Sequence, residues 1–112
     1  MQMNPLTDFV ESVSINYDIT PLSGTVRAFK KNGFVMIQIS SLRFSDSMSS
    51  ETNIFTVGAL PYADESAPFV LASSATSDDP VIGLVQKNTG KVFIRNYIGG
   101  HYISGTVIFL AK

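Results

Sequence analysis

The sequence predicts an all-β fold, an antiparallel β-sandwich or jelly-roll-like domain of about eight strands. Almost every segment alternates apolar and polar residues with a period of two, and none keeps helical spacing beyond about one turn. Turn-forming residues interrupt these segments at short, regular intervals. The chain has 112 residues, of which 45% are hydrophobic and 15% charged. One packed domain over residues 1–112 is therefore expected, with residues 1–7 as a flexible segment or linker remnant.

The first strands lead up to the strongest turn signal in the chain. A half-buried strand is expected over residues 8–19, because its apolar residues fall mainly on one parity. Further along, Asn32 and Gly33 both tolerate the positive φ that a type I′ turn requires. Residues 25–31 and 34–40 are therefore expected to form a hairpin around this turn.

The second half of the chain continues the alternating pattern. The returning strand of the first hairpin is apolar on both parities over residues 34–37, so cover on both faces is expected there. A polar loop follows, and Asn88-Thr89-Gly90 then predicts a three-residue hairpin loop with glycine in the left-handed position. The remaining strands are expected over residues 53–57, 69–75, 81–87, 91–97 and 102–110.

The charge and composition argue against several classes of protein. Eight basic and nine acidic side chains give a net charge of −1, whereas a nucleic-acid-binding protein normally carries a basic excess. The absence of cysteine removes disulfides, thiol nucleophiles and thiolate metal sites. No apolar run approaches the length of a membrane span, and the first residues lack the features of a signal peptide. We therefore expect no nucleic-acid partner, no membrane insertion and no signal peptide.

The sequence holds no recognisable catalytic constellation. Its single histidine is His101, and no cluster of His and carboxylate residues has the spacing of a metal site. The nucleophile-elbow, phosphate-loop and dinucleotide-binding motifs are all missing. The carboxylate pairs at residues 64–65 and 78–79 could serve a calcium site or a glycosidase, but solvated turns are the favoured interpretation. We therefore expect no catalytic residue, no metal and no cofactor.

One segment combines several groups that are suited to ligand recognition. Residues 95–102 place a guanidinium, an amide, two phenols and an imidazole around a Gly-Gly turn. Aromatic faces can lie against the C–H surface of a sugar while planar polar groups bond its hydroxyls. Alternatively, the tyrosines are ordinary strand aromatics and the histidine is a loop residue, which composition alone favours. The saccharide-binding candidates are Arg95, Asn96, Tyr97, His101 and Tyr102.

The order of these motifs resembles that of the C-terminal head domain of receptor-binding and baseplate (tail fibre) proteins from tailed phages of Gram-positive bacteria. The resemblance covers nearly the whole chain from about residue 24 onward. It rests on the Lys-Lys-Asn-Gly turn and the apolar strand that follows. It also rests on three further segments, Phe55-Thr-Val-Gly-Ala-Leu-Pro61, Lys87-Asn-Thr-Gly-Lys-Val-Phe-Ile94 and Tyr102-Ile-Ser-Gly-Thr-Val-Ile-Phe109.

The resemblance implies a function and an assembly. It implies a homotrimer of antiparallel sandwiches at the tail tip or baseplate of a virion, extracellular on release and in contact with other tail proteins. It also implies attachment to a host cell-wall or capsular saccharide without catalysis. A tryptophan often forms part of the family's sugar site, and this chain has none. Tyr97, His101 or Tyr102 would take its place.

Two other functions stay open from the sequence. A structural virion subunit, such as a baseplate or capsid-decoration protein, would share the all-β pattern but show no saccharide preference. A fragment of a polysaccharide lyase or hydrolase would depolymerise the host polysaccharide rather than only bind it.

Overall fold

The computed structural model describes residues 11–58, 65–75 and 80–110. It confirms the predicted all-β class, since these residues form strands and no helix. In the same part of the chain, no helix is long and apolar enough to cross a membrane. The nine strands are β1 (Glu11–Val13), β2 (Ile15–Tyr17), β3 (Ser23–Lys31), β4 (Phe34–Arg43), β5 (Thr52–Val57), β6 (Ala67–Ser73), β7 (Val81–Val85), β8 (Lys91–Arg95) and β9 (Tyr102–Leu110).

The strands form one antiparallel sheet that curls until it is nearly closed. Their order is β1-β3-β4-β9-β6-β7-β8-β5-β2. The first and last members, β1 and β2, are separated in the chain by Ser14 alone. Neighbours in sequence therefore lie at the two ends of the strand order, which brings the two edges of the sheet together.

The nearly closed sheet is a barrel with two layers, one of β1, β3, β4 and β9 and the other of β2, β5, β7 and β8. Two segments pass from one layer to the other. The chain pairs with β3 along β1 and then crosses at Ser14 to pair with β5 along β2. On the other side, β6 pairs with β7 up to Leu71 and with β9 at Ala72 and Ser73. The expectation of one continuous strand over residues 8–19 is therefore wrong, because the chain changes layers at Ser14. Residues 1–10, including the predicted flexible start, lie outside the described residues.

Both predicted hairpin turns are present. Asn32 has φ 51° and Gly33 has φ 84°, as a type I′ turn requires. In the second hairpin, Asn88 has φ 65° and Gly90 has φ 71°. Its two strands are shorter than predicted, and β8 ends before Asn96, whose φ of 63° is incompatible with an extended strand.

The core is built from the side chains that alternate inward from both layers. On β4, Val35 and Ile37 are fully buried, whereas Phe34 is 51% exposed and Met36 is only half-buried. The expected cover on both faces of residues 34–37 is therefore wrong for one chain, because the second layer packs against the inner face alone. The outer face of this strand is open to solvent.

A close approach between β6 and β7 makes Gly83 necessary. Gly83 lies opposite Phe69 in the strand register, and a Cβ at this position would overlap the ring carbons of Phe69. Gly83→Ala should therefore destabilise the fold by about 1–3 kcal/mol, because the half-buried Phe69 ring that packs against the core must move. Urea unfolding measures this change. In a Phe69→Leu background, Gly83→Ala should cost less stability than it does in the wild type. An equal loss of stability in the two backgrounds would contradict the contact.

Candidate functional site

Three of the predicted site residues, Asn96, His101 and Tyr102, lie next to Ser74 or Pro80, the described residues that follow β6 and precede β7. The backbone N–H of Tyr102 donates to Ser74 Oγ at 2.9 Å, and Asn96 Nδ2 lies 3.5 Å from the carbonyl oxygen of Pro80.

Tyr102 and Arg43 form an aromatic and cationic pair at this end of the barrel. They are cross-strand partners on β9 and β4, and the guanidinium carbon of Arg43 lies 5.6 Å from the centroid of the Tyr102 ring. A guanidinium at this distance from an aromatic face is attracted by the ring quadrupole. Tyr102 is 45% exposed, so its ring is accessible to a ligand.

His101 and Ser74 lie beside this pair. His101 Nδ1 is 3.3 Å from Ser74 Oγ, and the same hydroxyl oxygen accepts the N–H of Tyr102. The imidazole is half-buried, and Ser74 is exposed. We call Arg43, Ser74, His101 and Tyr102 together the polar corner.

Tyr97 supports the polar corner from within. Its side chain is only 1% exposed, and its hydroxyl accepts the N–H of Phe44 at 2.7 Å. The same oxygen lies 2.6 Å from the carbonyl oxygen of His101 and 3.0 Å from that of Phe44. The rings of Tyr97 and Phe44 pack edge to face, with centroids 5.8 Å apart. Tyr97 therefore connects the turn before β9 to the end of β4 and presents no surface to a ligand.

Backbone hydrogen bonds fix the glycine turn that precedes His101. Gly100 N–H donates to the carbonyl of Phe44 at 2.8 Å, and Tyr97 and Met48 exchange two backbone bonds of 2.9 and 3.0 Å. Gly99 N–H donates to Ser47 Oγ at 2.8 Å. The turn is thus held against the loop that follows β4, which gives the polar corner a fixed base.

Arg95 and Asn96 lie next to the start of β7. Arg95 ends β8 opposite Ile82 of β7, and both candidate residues are exposed. They share this end of the molecule with His101 and Tyr102, although among the described residues no side-chain hydrogen bond joins the two pairs. The sequence pattern does not predict Arg43 and Ser74 as site residues, because both lie far in sequence from residues 95–102. Only the strand register brings them to Tyr102.

The carboxylate pairs do not form a described site. Asp64, Asp78 and Asp79 lie outside the described residues. Glu65 is exposed and its carboxylate lies 3.9 Å from Lys87 Nζ. Among the residues that the structure describes, no group of three or more His, Asp or Glu side chains could hold a metal ion.

The polar corner offers recognition chemistry. It combines an accessible ring, a guanidinium, an imidazole and a hydroxyl, a set that suits a polyhydroxylated ligand. Ser74 and His101 alone resemble part of a catalytic triad, but a triad also needs a group that orients the histidine. Across residues 11–58, 65–75 and 80–110, no hydrogen bond orients Nε2 of His101.

Comparisons with known proteins show a shared fold. No family model and no curated protein matches the chain. Among solved structures, it is similar to the head domain of phage bIL170, which was studied for the common fold of lactococcal phage receptor binding domains. The TM-score is 0.63 at 12% identity, and the match covers 92% of this chain and 99% of that chain. The resemblance predicted from the sequence is confirmed at the level of the fold.

Removing the Tyr97 hydroxyl tests its structural role. Tyr97→Phe should lower the free energy of unfolding by about 1–3 kcal/mol, because it leaves the buried N–H of Phe44 without a partner. Tyr102→Phe is the matched control and should change stability by less than about 0.5 kcal/mol, since Tyr102 is exposed. Urea denaturation of both variants measures the difference. Equal stability of the two variants would show that the Tyr97 hydroxyl does not hold the turn.

Proposed function

We propose that this domain is a non-enzymatic receptor-binding head of a phage tail, which attaches the virion to saccharides on the host cell surface. The observation that carries the proposal is the fold shared with the bIL170 head domain over 92% of this chain. The same likeness supports a location at the tail tip or baseplate as part of this proposal. The polar corner supplies a chemically suitable place for the ligand.

The corner would bind a sugar by stacking and hydrogen bonding together. The exposed face of Tyr102 would lie against the C–H surface of a pyranose ring, and Arg43 holds that ring from the neighbouring strand. His101 and Ser74 are within reach of hydroxyl groups beside it. Arg95 and Asn96, at the start of β7, would contact a further sugar unit. Tyr97 would act only by positioning His101.

Weak contacts at one corner would become firm attachment through several copies. We propose that the head acts as a homotrimer joined to other tail proteins, so that three corners face one polysaccharide surface. Once one corner has bound, the effective concentration of ligand at the others is high, and the overall affinity can rise by orders of magnitude without new contacts.

The absence of catalysis is part of the proposal and has its own test. Incubation of the domain with host cell-wall polysaccharide, followed by sizing of the products, should show no shortening of the chains. Depolymerisation by the wild type that is lost in Ser74→Ala or His101→Ala would instead make the corner a hydrolytic site.

The binding role is tested at Tyr102 with a matched tyrosine elsewhere. Tyr102→Ala should weaken binding to host cells by about tenfold or more, because it removes the stacking surface. Tyr17→Ala is the control, since Tyr17 is 40% exposed, close to the 45% of Tyr102, and lies on β2. A titration of labelled protein on whole cells measures both.

Other outcomes of this titration contradict the proposal. No binding of the wild type to host cells or to a glycan array would favour the structural virion subunit. Equal binding by Tyr102→Ala and the wild type would show that the ligand does not bind at the polar corner.

A further inference from the structure

The outer face of β3, β4 and β9 carries an apolar patch near the Asn-Gly turn. Two adjacent cross-strand rows contribute to it, Phe29–Met36–Ile108 and Lys31–Phe34–Leu110, in which Lys31 is the one polar residue. The next row on the same face, Arg27–Gln38–Thr106, is polar. The apolar character is therefore confined to one end of the face. We call Phe29, Phe34, Met36, Ile108 and Leu110 the outer patch.

The outer patch is exposed in the single chain. Phe34 is 51%, Ile108 62% and Leu110 55% exposed. Phe34 and Ile108 border a shallow groove of about 630 Å³, whose edge carries Lys30, Lys31 and Asn32. The solvent-facing side of an antiparallel sheet normally carries polar residues, and a contiguous apolar patch on such a side is often functional.

We propose that the outer patch is the surface through which one copy of this chain contacts the next. The inference rests on the oligomer in the proposed function and names the contact that forms it. From the exposed fractions, the patch leaves on the order of 400 Å² of apolar surface. That is about half of the ~800 Å² that each partner contributes to a standard interface. The polar row and the turn lysines would supply the rim.

A second copy fits this patch better than a saccharide does. Aliphatic and aromatic side chains form the patch, and the polar residues Lys30, Lys31 and Asn32 stand at the edge of its groove. Sugar recognition needs polar groups that converge within the site. Interfaces between identical subunits are the more apolar class of protein contact. Tyr102 and Leu110 stand at opposite ends of β9, roughly 26 Å apart at about 3.3 Å per residue. A subunit on the patch would therefore leave the polar corner free.

A matched pair of leucines tests the contact. Leu110 is 55% exposed within the patch, and Leu22 is 56% exposed beside Arg43 at the other end of β4. Light scattering after size-exclusion chromatography should show the wild type and Leu22→Glu as oligomers. Leu110→Glu and Ile108→Glu should elute as monomers, with association weakened at least tenfold. Circular dichroism shows whether each variant is folded.

A second measurement does not depend on a charged substitution. Because the chain has no cysteine, Ile108→Cys and Leu22→Cys can each carry a single environment-sensitive fluorophore. As protein concentration rises, the probe at position 108 should become buried and the probe at position 22 should stay in water. The same response at both positions would overturn the proposal.

Three other results also overturn it: a monomeric wild type, patch variants that remain oligomeric, and a Leu22→Glu variant that dissociates equally. The oligomer is measured without saccharide, so it is independent of receptor binding. A monomeric Leu110→Glu that still binds cells through Tyr102, only more weakly, would support both proposals. A wild-type monomer that binds cells would overturn the contact and leave the receptor role standing.

Discussion

The two layers of the barrel depend on the alternation of side chains along their strands. Val35 and Ile37 from one layer, and Ile54 and Ile94 from the other, are completely withdrawn from water. A slip of one residue in any ladder would turn such a set outward, so the apolar pattern also fixes the register. Because β6 belongs to both layers, the register of one constrains that of the other.

The sequence predicts the parts of this architecture that local chemistry determines. The period of two predicts the strands, and Asn32-Gly33 predicts the first hairpin, since each depends on residues within a few positions. The other features of the architecture depend on pairing between strands that are far apart in sequence. The chain crosses between layers at Ser14 because β2 finds its partner in β5, and nothing in the alternation of residues 8–19 marks that point. The exposure of Phe34 likewise depends on tertiary packing, because the second layer covers only the inner face of β4.

The candidate site shows the same division between local and distant information. The segment of residues 95–102 stands out because of its composition, but its two tyrosines have different environments. Tyr97 is buried and bonded to Phe44 and His101, whereas Tyr102 is exposed beside Arg43. A period-two pattern assigns both to strands and cannot separate them. The strand register does separate them, since it places Arg43 opposite Tyr102.

The placement of the polar corner and the outer patch at opposite ends of β4 and β9 has a mechanical consequence. If the domain works as proposed, with the receptor at Tyr102 and a second copy on the outer patch, a pull on the virion would load these two strands lengthwise. The hydrogen bonds between antiparallel strands lie perpendicular to that direction. They would be sheared together rather than opened one after another, so the tension would be shared along the whole ladder from Phe34–Leu110 to Arg43–Tyr102.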